Sequence, residues 1–184
     1  MNDSTNTIAS TPASTANLAA NIKLVVFDID GVMTDGKLYF TSLGDEIKAF
    51  NVKDGLGIKW LHDNNIQTAV ITGRTSNLVK KRITDLGIHH LQQGREDKVI
   101  ALKELLSQQN IPVNEVAYMG DDLPDLSAIR YAGLGATVAD ALPIVAEHSQ
   151  WQSKFNGGEG AVREFCEFIL SCQNKLDPLH LNYL

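Results

Sequence analysis

Acidic residues gather at two places in this sequence. One is Asp28-Ile29-Asp30-Gly31-Val32-Met33-Thr34-Asp35-Gly36, and the other is Gly120-Asp121-Asp122-Leu123-Pro124-Asp125. Each follows directly on a short apolar run, Leu24–Phe27 and Val116–Met119. A third run, Thr68–Ile71, ends in Thr72-Gly73-Arg74. A lone aspartate at the end of a strand is ordinarily a turn or capping residue. Two acidic groups at the tips of two buried strands are hard to account for in that way. Carboxylates forced together raise one another's pKa or recruit a cation. Clustered oxygen ligands suit Mg²⁺, which binds through one or two carboxylates, waters and phosphate oxygens. The residues that would share such a site are Asp28, Asp30, Thr72, Asp121, Asp122 and Asp125.

The elements that must hold them follow from the apolar pattern. Leu24–Phe27 has no alternation, as expected of a strand buried on both faces. Further short runs lie at Thr68–Ile71, Ile88–Leu91, Val116–Met119 and Leu134–Val138. Between them Leu78, Val79, Arg82, Ile83 and Leu86, and then Val99, Leu102, Leu105 and Leu106, show helical spacing. Strand and helix in alternation imply right-handed crossovers and an α/β fold, a doubly wound parallel sheet with helices on both faces. Ligands of such sheets sit outside the carboxyl ends of the strands, where the acids lie. One segment departs from the alternation. Leu38–Phe40 and Ile47–Phe50 flank Thr41-Ser42-Leu43-Gly44-Asp45 and predict a β-hairpin inserted after the first strand. A last helix is expected over Ala161–Cys172, with Gly157-Gly158 before it letting the chain turn.

Composition bounds the rest. The 184 residues suit one domain, expected over 21–175 between an N-terminal arm (1–20, rich in Ser, Thr, Ala and Asn, read as disordered) and a C-terminal tail (176–184). A net charge of −6 gives no basic face for nucleic acid. No run reaches the ~20 apolar residues of a membrane span, and the arm lacks the basic start and apolar stretch of a signal peptide. Cys166 and Cys172, six positions apart on one helix, should face different ways, as two thiols in a reducing cytosol would.

Taken together and in order, the Asp-x-Asp-Gly loop after a buried strand, a strand ending in Thr-Gly, a lysine (Lys98) and Gly-Asp-Asp-x-x-Asp resemble the haloacid dehalogenase superfamily. The resemblance implies a phosphatase. Asp28 would be the nucleophile that forms an aspartyl-phosphate. Asp30 would protonate the leaving alcohol and then take a proton from water. Mg²⁺ would be held by Asp28, Asp121 and the Asp30 backbone carbonyl. Thr72, the Gly73 N–H and Lys98 would bind the phosphoryl oxygens. Asp122 and Asp125 would orient ligands or waters, although Asp122 also reads as a helix cap before Pro124. Taken alone, Lys98 reads as a solvated lysine, and only its place in the motif order raises it.

Asp30 to Thr72 spans 42 positions and Thr72 to Lys98 spans 26, which leaves no room for a cap domain at either place. This spacing, the hairpin, Asn51–Lys59, Ile71–Arg74 and Gly157–Phe165 resemble the 3-deoxy-D-manno-octulosonate 8-phosphate (KDO 8-phosphate) phosphatases, the uncapped type. That resemblance implies a cytoplasmic homotetramer whose hairpins meet and whose neighbour covers the site, acting in lipopolysaccharide synthesis on an acidic sugar phosphate. Arg74 suits the second anion, because a guanidinium fork binds a carboxylate bidentately. Arg82, two helical turns on, could share its face. Asn51, Val52, Lys53, Asp54, Gly55 and Lys59 match the family's substrate loop, while Lys53, Lys59 and Arg82 also fit a solvated basic face. Three alternatives stand beside this reading. One is a phosphatase of nine-carbon keto acid sugar phosphates, and another is a silent scaffold of the same fold. The third, a phospho-receiver domain, would need its accepting aspartate at the third strand, where this chain has Gln92-Gln93-Gly94.

Overall fold

The computed structural model describes residues 12–184. Helix α1 (Pro12–Ala19) leads into β1 (Leu24–Phe27) and the hairpin strands β2 (Tyr39–Phe40) and β3 (Glu46–Ile47). There follow α2 (Val52–Asp63), β4 (Gln67–Ile71), α3 (Asn77–Asp85), β5 (His90–Gln92) and α4 (Lys98–Gln109). The second half runs β6 (Val116–Gly120), α5 (Leu123–Tyr131), β7 (Leu134–Thr137), α6 (Pro143–Glu147), β8 (Trp151–Gln152), α7 (Ala161–Cys172) and α8 (Leu176–Leu181).

Six strands form one parallel sheet in the order β5-β4-β1-β6-β7-β8. The chain starts in the middle, winds outward through β4 and β5, and returns to build β6, β7 and β8 on the other side. The reversal leaves a crevice at the carboxyl end of β1, between β4 and β6. The unbroken apolar runs follow from burial on both faces. Val25 and Phe27 join one core with Ile58, Leu61, Val162, Phe165 and Ile169 of α2 and α7. Leu24 and Val26 join the other with Leu102 and Leu105 of α4 and Ile129 of α5. Ala128, beside Ile129, packs in that same second core.

The expected α/β fold and the hairpin insertion are present, with differences at the margins. The third run is expected from Ile88, but β5 begins at His90. Gly87 takes φ +65° and Ile88 N–H donates to the Ile83 carbonyl, so Ile88 closes α3 instead. β8 carries no apolar run that would announce it. The hairpin ladder pairs Tyr39 with Ile47 and Phe40 with Glu46. The arm expected to be disordered needs correction over Pro12–Ala19, which is helical; the residues before it lie outside the described ones. Ala19 is fully buried, Thr15 Oγ1 donates to the Gln150 carbonyl, and Gln173 Nε2 donates to the carbonyls of Ala19 and Ile22. The tail also folds back: α8 lays His180 edge-on to Trp60, with Tyr183 beside it.

Candidate active site

The backbone leaves β1 in a tight turn, with Val32, Met33 and Thr34 N–H all donating to the Ile29 carbonyl. Gly31 (φ +95°) lets this loop pass Asp121, since a Cβ there would lie 2.1 Å from Asp121 Oδ2. Gly157 does more than turn the chain. A Cβ on it would meet the Gly31 carbonyl oxygen at 1.8 Å, and Gly158 N–H donates to the Val32 carbonyl, so the glycine segment braces the loop that carries Asp30.

At the strand tips Asp28, Asp121 and Asp125 each bring a carboxylate oxygen within 4.8 Å of the others. Asp125 is fully engaged. Its Oδ1 accepts from Lys98 Nζ (2.7 Å) and Tyr118 Oη (2.8 Å), and its Oδ2 accepts from the backbone N–H of Asp121 and Asp122. Lys98 Nζ also lies 3.0 Å from Asp28 Oδ1. That contact is an ion pair without a hydrogen bond, and Asp121 Oδ1 is buried with no hydrogen-bond partner. Burial, then the charge of Asp125, pushes Asp28 up to about 7. Burial, then Asp125 and Asp28, pushes Asp121 up to about 8. Carboxylates crowded within 4.8 Å, with Asp121 Oδ1 buried and unpartnered, fit a hard divalent cation, and the donor set (all oxygen) selects Mg²⁺ over softer-ligand metals. Asp125, already satisfied, holds Lys98 and caps α5 with Asp122, whose capping reading is confirmed.

Lys98 opens α4 and is buried. Burial pulls its pKa down, but Asp28 and Asp125 more than reverse this, and the net shift is upward. It is a fixed ammonium against the cluster, not a solvated surface lysine. A cleft of about 470 Å³ opens here, lined by Asp28, Asp30, Thr72, Gly73, Arg74, Glu96, Lys98 and Pro124.

Other expected site residues lie elsewhere. Asn51 caps α2, its Oδ1 accepting from Lys53 N–H and its Nδ2 donating to the Gly158 carbonyl. Val52, Lys53 and Lys59 point to solvent. Gly55 packs against Leu86 and Arg82. Asp54 is buried, and its Oδ1 accepts from Arg163 N–H in the first turn of α7. Arg82 does not share a face with Arg74: its Nη2 donates to the Asn51 carbonyl and its guanidinium lies over Phe50. Thus Asn51, Val52, Lys53, Asp54, Gly55, Lys59 and Arg82 stand outside the cleft of their own chain, with Asn51 and Arg82 tying the start of α2 to Gly158 and α3.

The hairpin contributes what sequence reading missed. Lys48 Nζ, only 3% exposed, hydrogen-bonds Asp30 Oδ1. Glu46 Oε1 accepts from Arg74 Nη2 at 2.6 Å and lies 3.8 Å from Lys48 Nζ. The signal was available. Residues two apart on a strand share a face, so Glu46 and Lys48 go one way and Ile47 and Ala49 the other. The polar pair turned inward because the acids of β1 lie beneath it.

This arrangement, a doubly wound sheet with paired acidic loops and a buried lysine at the tips of β1 and β6, defines the haloacid dehalogenase-like hydrolases, whose family model matches residues 90–165. The KDO 8-phosphate phosphatase KdsC of Yersinia pestis is 46% identical over 159 residues, 86% of this chain and 85% of the relative. Among solved structures, KDO 8-phosphate phosphatase from Moraxella catarrhalis in complex with magnesium, phosphate and KDO matches with a TM-score of 0.93 at 41% identity, over 95% of this chain and 100% of that one. A probable YrbI family phosphatase from Pseudomonas syringae matches with a TM-score of 0.91 at 50% identity, over 93% and 97%. The chain belongs to the KDO 8-phosphate phosphatase family of haloacid dehalogenase-like hydrolases.

Proposed function

We propose that this protein is a Mg²⁺-dependent phosphatase that hydrolyses KDO 8-phosphate to KDO and phosphate, and so serves lipopolysaccharide synthesis in the cytoplasm. The observation that carries this reading is the crowding of the Asp28 and Asp121 carboxylates beside Lys98, with Asp121 Oδ1 buried and unpartnered: a nucleophile, a candidate cation site and an ammonium together. Bound there by Asp28, Asp121 and the Asp30 carbonyl, Mg²⁺ would screen carboxylate from phosphate and polarise the phosphoryl oxygens. Asp28 attacks phosphorus, and the P–O bond to the sugar breaks as Asp30 gives a proton to the departing oxygen. Asp30 then takes a proton from water, whose oxygen attacks phosphorus and breaks the P–O bond to Asp28. Thr72, Gly73 N–H and Lys98 hold the phosphoryl oxygens, and Arg74 at the rim holds the sugar carboxylate.

Hairpin residues Tyr39 and Ile47, a cross-strand pair on the outward face, are exposed, as is Leu43 in the turn at 88%. An apolar patch of this kind marks an interface, and it supports assembly with further copies as a homotetramer. In that assembly Val52, Lys53 and Lys59, which are exposed, would reach a neighbouring site, while Asn51, Asp54, Gly55 and Arg82 would hold the loop that carries them. Among the described residues no helix is long and apolar enough to cross a membrane.

The test is phosphate release from a panel of sugar phosphates, with Mg²⁺ and then with EDTA. Preference for KDO 8-phosphate, lost in EDTA, is expected. Preference for a nine-carbon acid sugar phosphate would keep the chemistry and replace the substrate. No release from any compound would point to a scaffold.

A further inference from the structure

The hairpin forms its own two-stranded sheet, with no strand pairing to the six-stranded one. Its polar residues nonetheless reach two residues that line the cleft, Asp30 and Arg74. Glu46 is 20% exposed and sits on Arg74, which is 46% exposed, through a single 2.6 Å contact from Oε1 to Nη2. The same Oε1 lies within 3.8 Å of the buried Lys48 ammonium. A carboxylate therefore already occupies the cationic rim at the place where a substrate carboxylate would bind. Its charge and oxygen geometry are those of the group that Arg74 would read. It is tethered on a short hairpin, an element of little stability by itself, so it can be displaced.

We propose that Glu46 is an internal competitor for the sugar's carboxylate, and that it sets how tightly Arg74 holds the acidic sugar. This rests on the reading of Arg74 as the carboxylate-binding residue. The reaction gives the idea its consequence. Hydrolysis removes the phosphate but leaves the carboxylate on the product, so the grip of Arg74 acts on product as much as on substrate. A free Arg74 would slow departure of the product. A tethered Glu46 returns to the guanidinium as the product leaves and keeps that grip modest.

The product isolates this contact, because KDO carries the carboxylate without the phosphate. Binding of KDO to the Mg²⁺-loaded protein is measured by calorimetry, with inorganic phosphate as a second ligand. In Glu46→Gln, KDO binding should tighten by about two- to fivefold, the range expected for release of one partly exposed ion pair, with a smaller change for phosphate. In Arg74→Ala, KDO binding should weaken, and adding Glu46→Gln to it should change nothing further. Weaker or unchanged KDO binding in Glu46→Gln would overturn the proposal and make Glu46 a buttress of Arg74. Equal tightening for KDO and phosphate would overturn it too, as a general effect of charge. If Arg74→Ala leaves KDO affinity intact, the carboxylate reading of Arg74 itself has failed. If that variant weakens KDO while Glu46→Gln does nothing, only the role of Glu46 falls.

Discussion

β1 and the hairpin that follows it are built on opposite rules. In β1 every side chain is apolar and buried, and the polar residues come only where the strand ends. Along β3 and just past it the order is inverted: Glu46 and Lys48 face Arg74 and Asp30 while Ile47 is exposed. The first arrangement fixes carboxylates against a rigid floor, where burial and crowding raise the pKa of Asp28 and Asp121. The second hangs charged groups over that floor from a small element with its apolar side outward. The floor therefore should govern chemistry for every substrate, and the overhang should govern which substrate is held and what the chain assembles with.

The sharpest way to break this division is at the floor. Asp28→Asn should lower turnover by at least about four orders of magnitude on all substrates alike, as loss of a nucleophile does. Its melting temperature at pH 8 should not fall, because the folded protein disfavours the charge that the substitution removes. A substrate that retained activity would contradict the assignment. Lys98→Met should cost about 10²–10³ in kcat, the scale of a lost electrostatic contact to the phosphoryl group, again without regard to the sugar.

The overhang should respond differently. Leu43→Glu with Ile47→Glu should give smaller species than the unaltered chain in analytical ultracentrifugation, as the proposed assembly through the hairpin requires, while leaving the circular dichroism spectrum of the fold intact. An unchanged assembly would place the interface elsewhere.

The smallest expected effect concerns metal-free protein. Asp28 and Asp121 have folded pKa values of about 7 and about 8, against an ordinary value of 3.8. Groups raised on folding add stability at pH below the unfolded value, and this is lost as pH rises through the folded value. In EDTA the melting temperature should thus fall by a few degrees between pH 6.5 and pH 8.5. Mg²⁺ should flatten that slope. The window stops at 6.5, the ordinary imidazole value, because burial lowers the pKa of His62 and His90, and their protonation at lower pH works in the other direction. A flat metal-free profile would mean that the two carboxylates are not crowded in solution.

The same contrast explains what could be read from sequence. β1, β4 and β6 were legible because burial on both faces leaves an unbroken apolar run, and their acids because nothing else places Asp-x-Asp and Gly-Asp-Asp-x-x-Asp after such runs. Lys98 was legible only through motif order, since one lysine at a helix start carries no sign of burial. Glu46 and Lys48 were missed because a charged pair flanking an isoleucine looks like the solvent face of a hairpin. Only the acids beneath reverse the expectation. The helix at Pro12–Ala19 was missed because Ser, Thr and Ala give little periodic signal, and its order comes from docking against α7 and the Gln150 and Gln173 contacts.

The carboxylate of Asp54, in the first turn of α2, receives the N–H of Arg163 in the first turn of α7, 109 positions later. α1, ahead of both, also rests on α7, and Gln173 just beyond α7 ties back to Ile22. The stretch that completes this core is therefore made after all the strands and all the acids of the site. Contacts of such long sequence separation slow folding, because loop closure precedes any gain. During synthesis, the core that Val25, Phe27, Ile58 and Leu61 build with α7 stays open on that side until α7 emerges. A nascent chain stalled short of α7 should expose its core and remain inactive, even though every acid of the site has already been made.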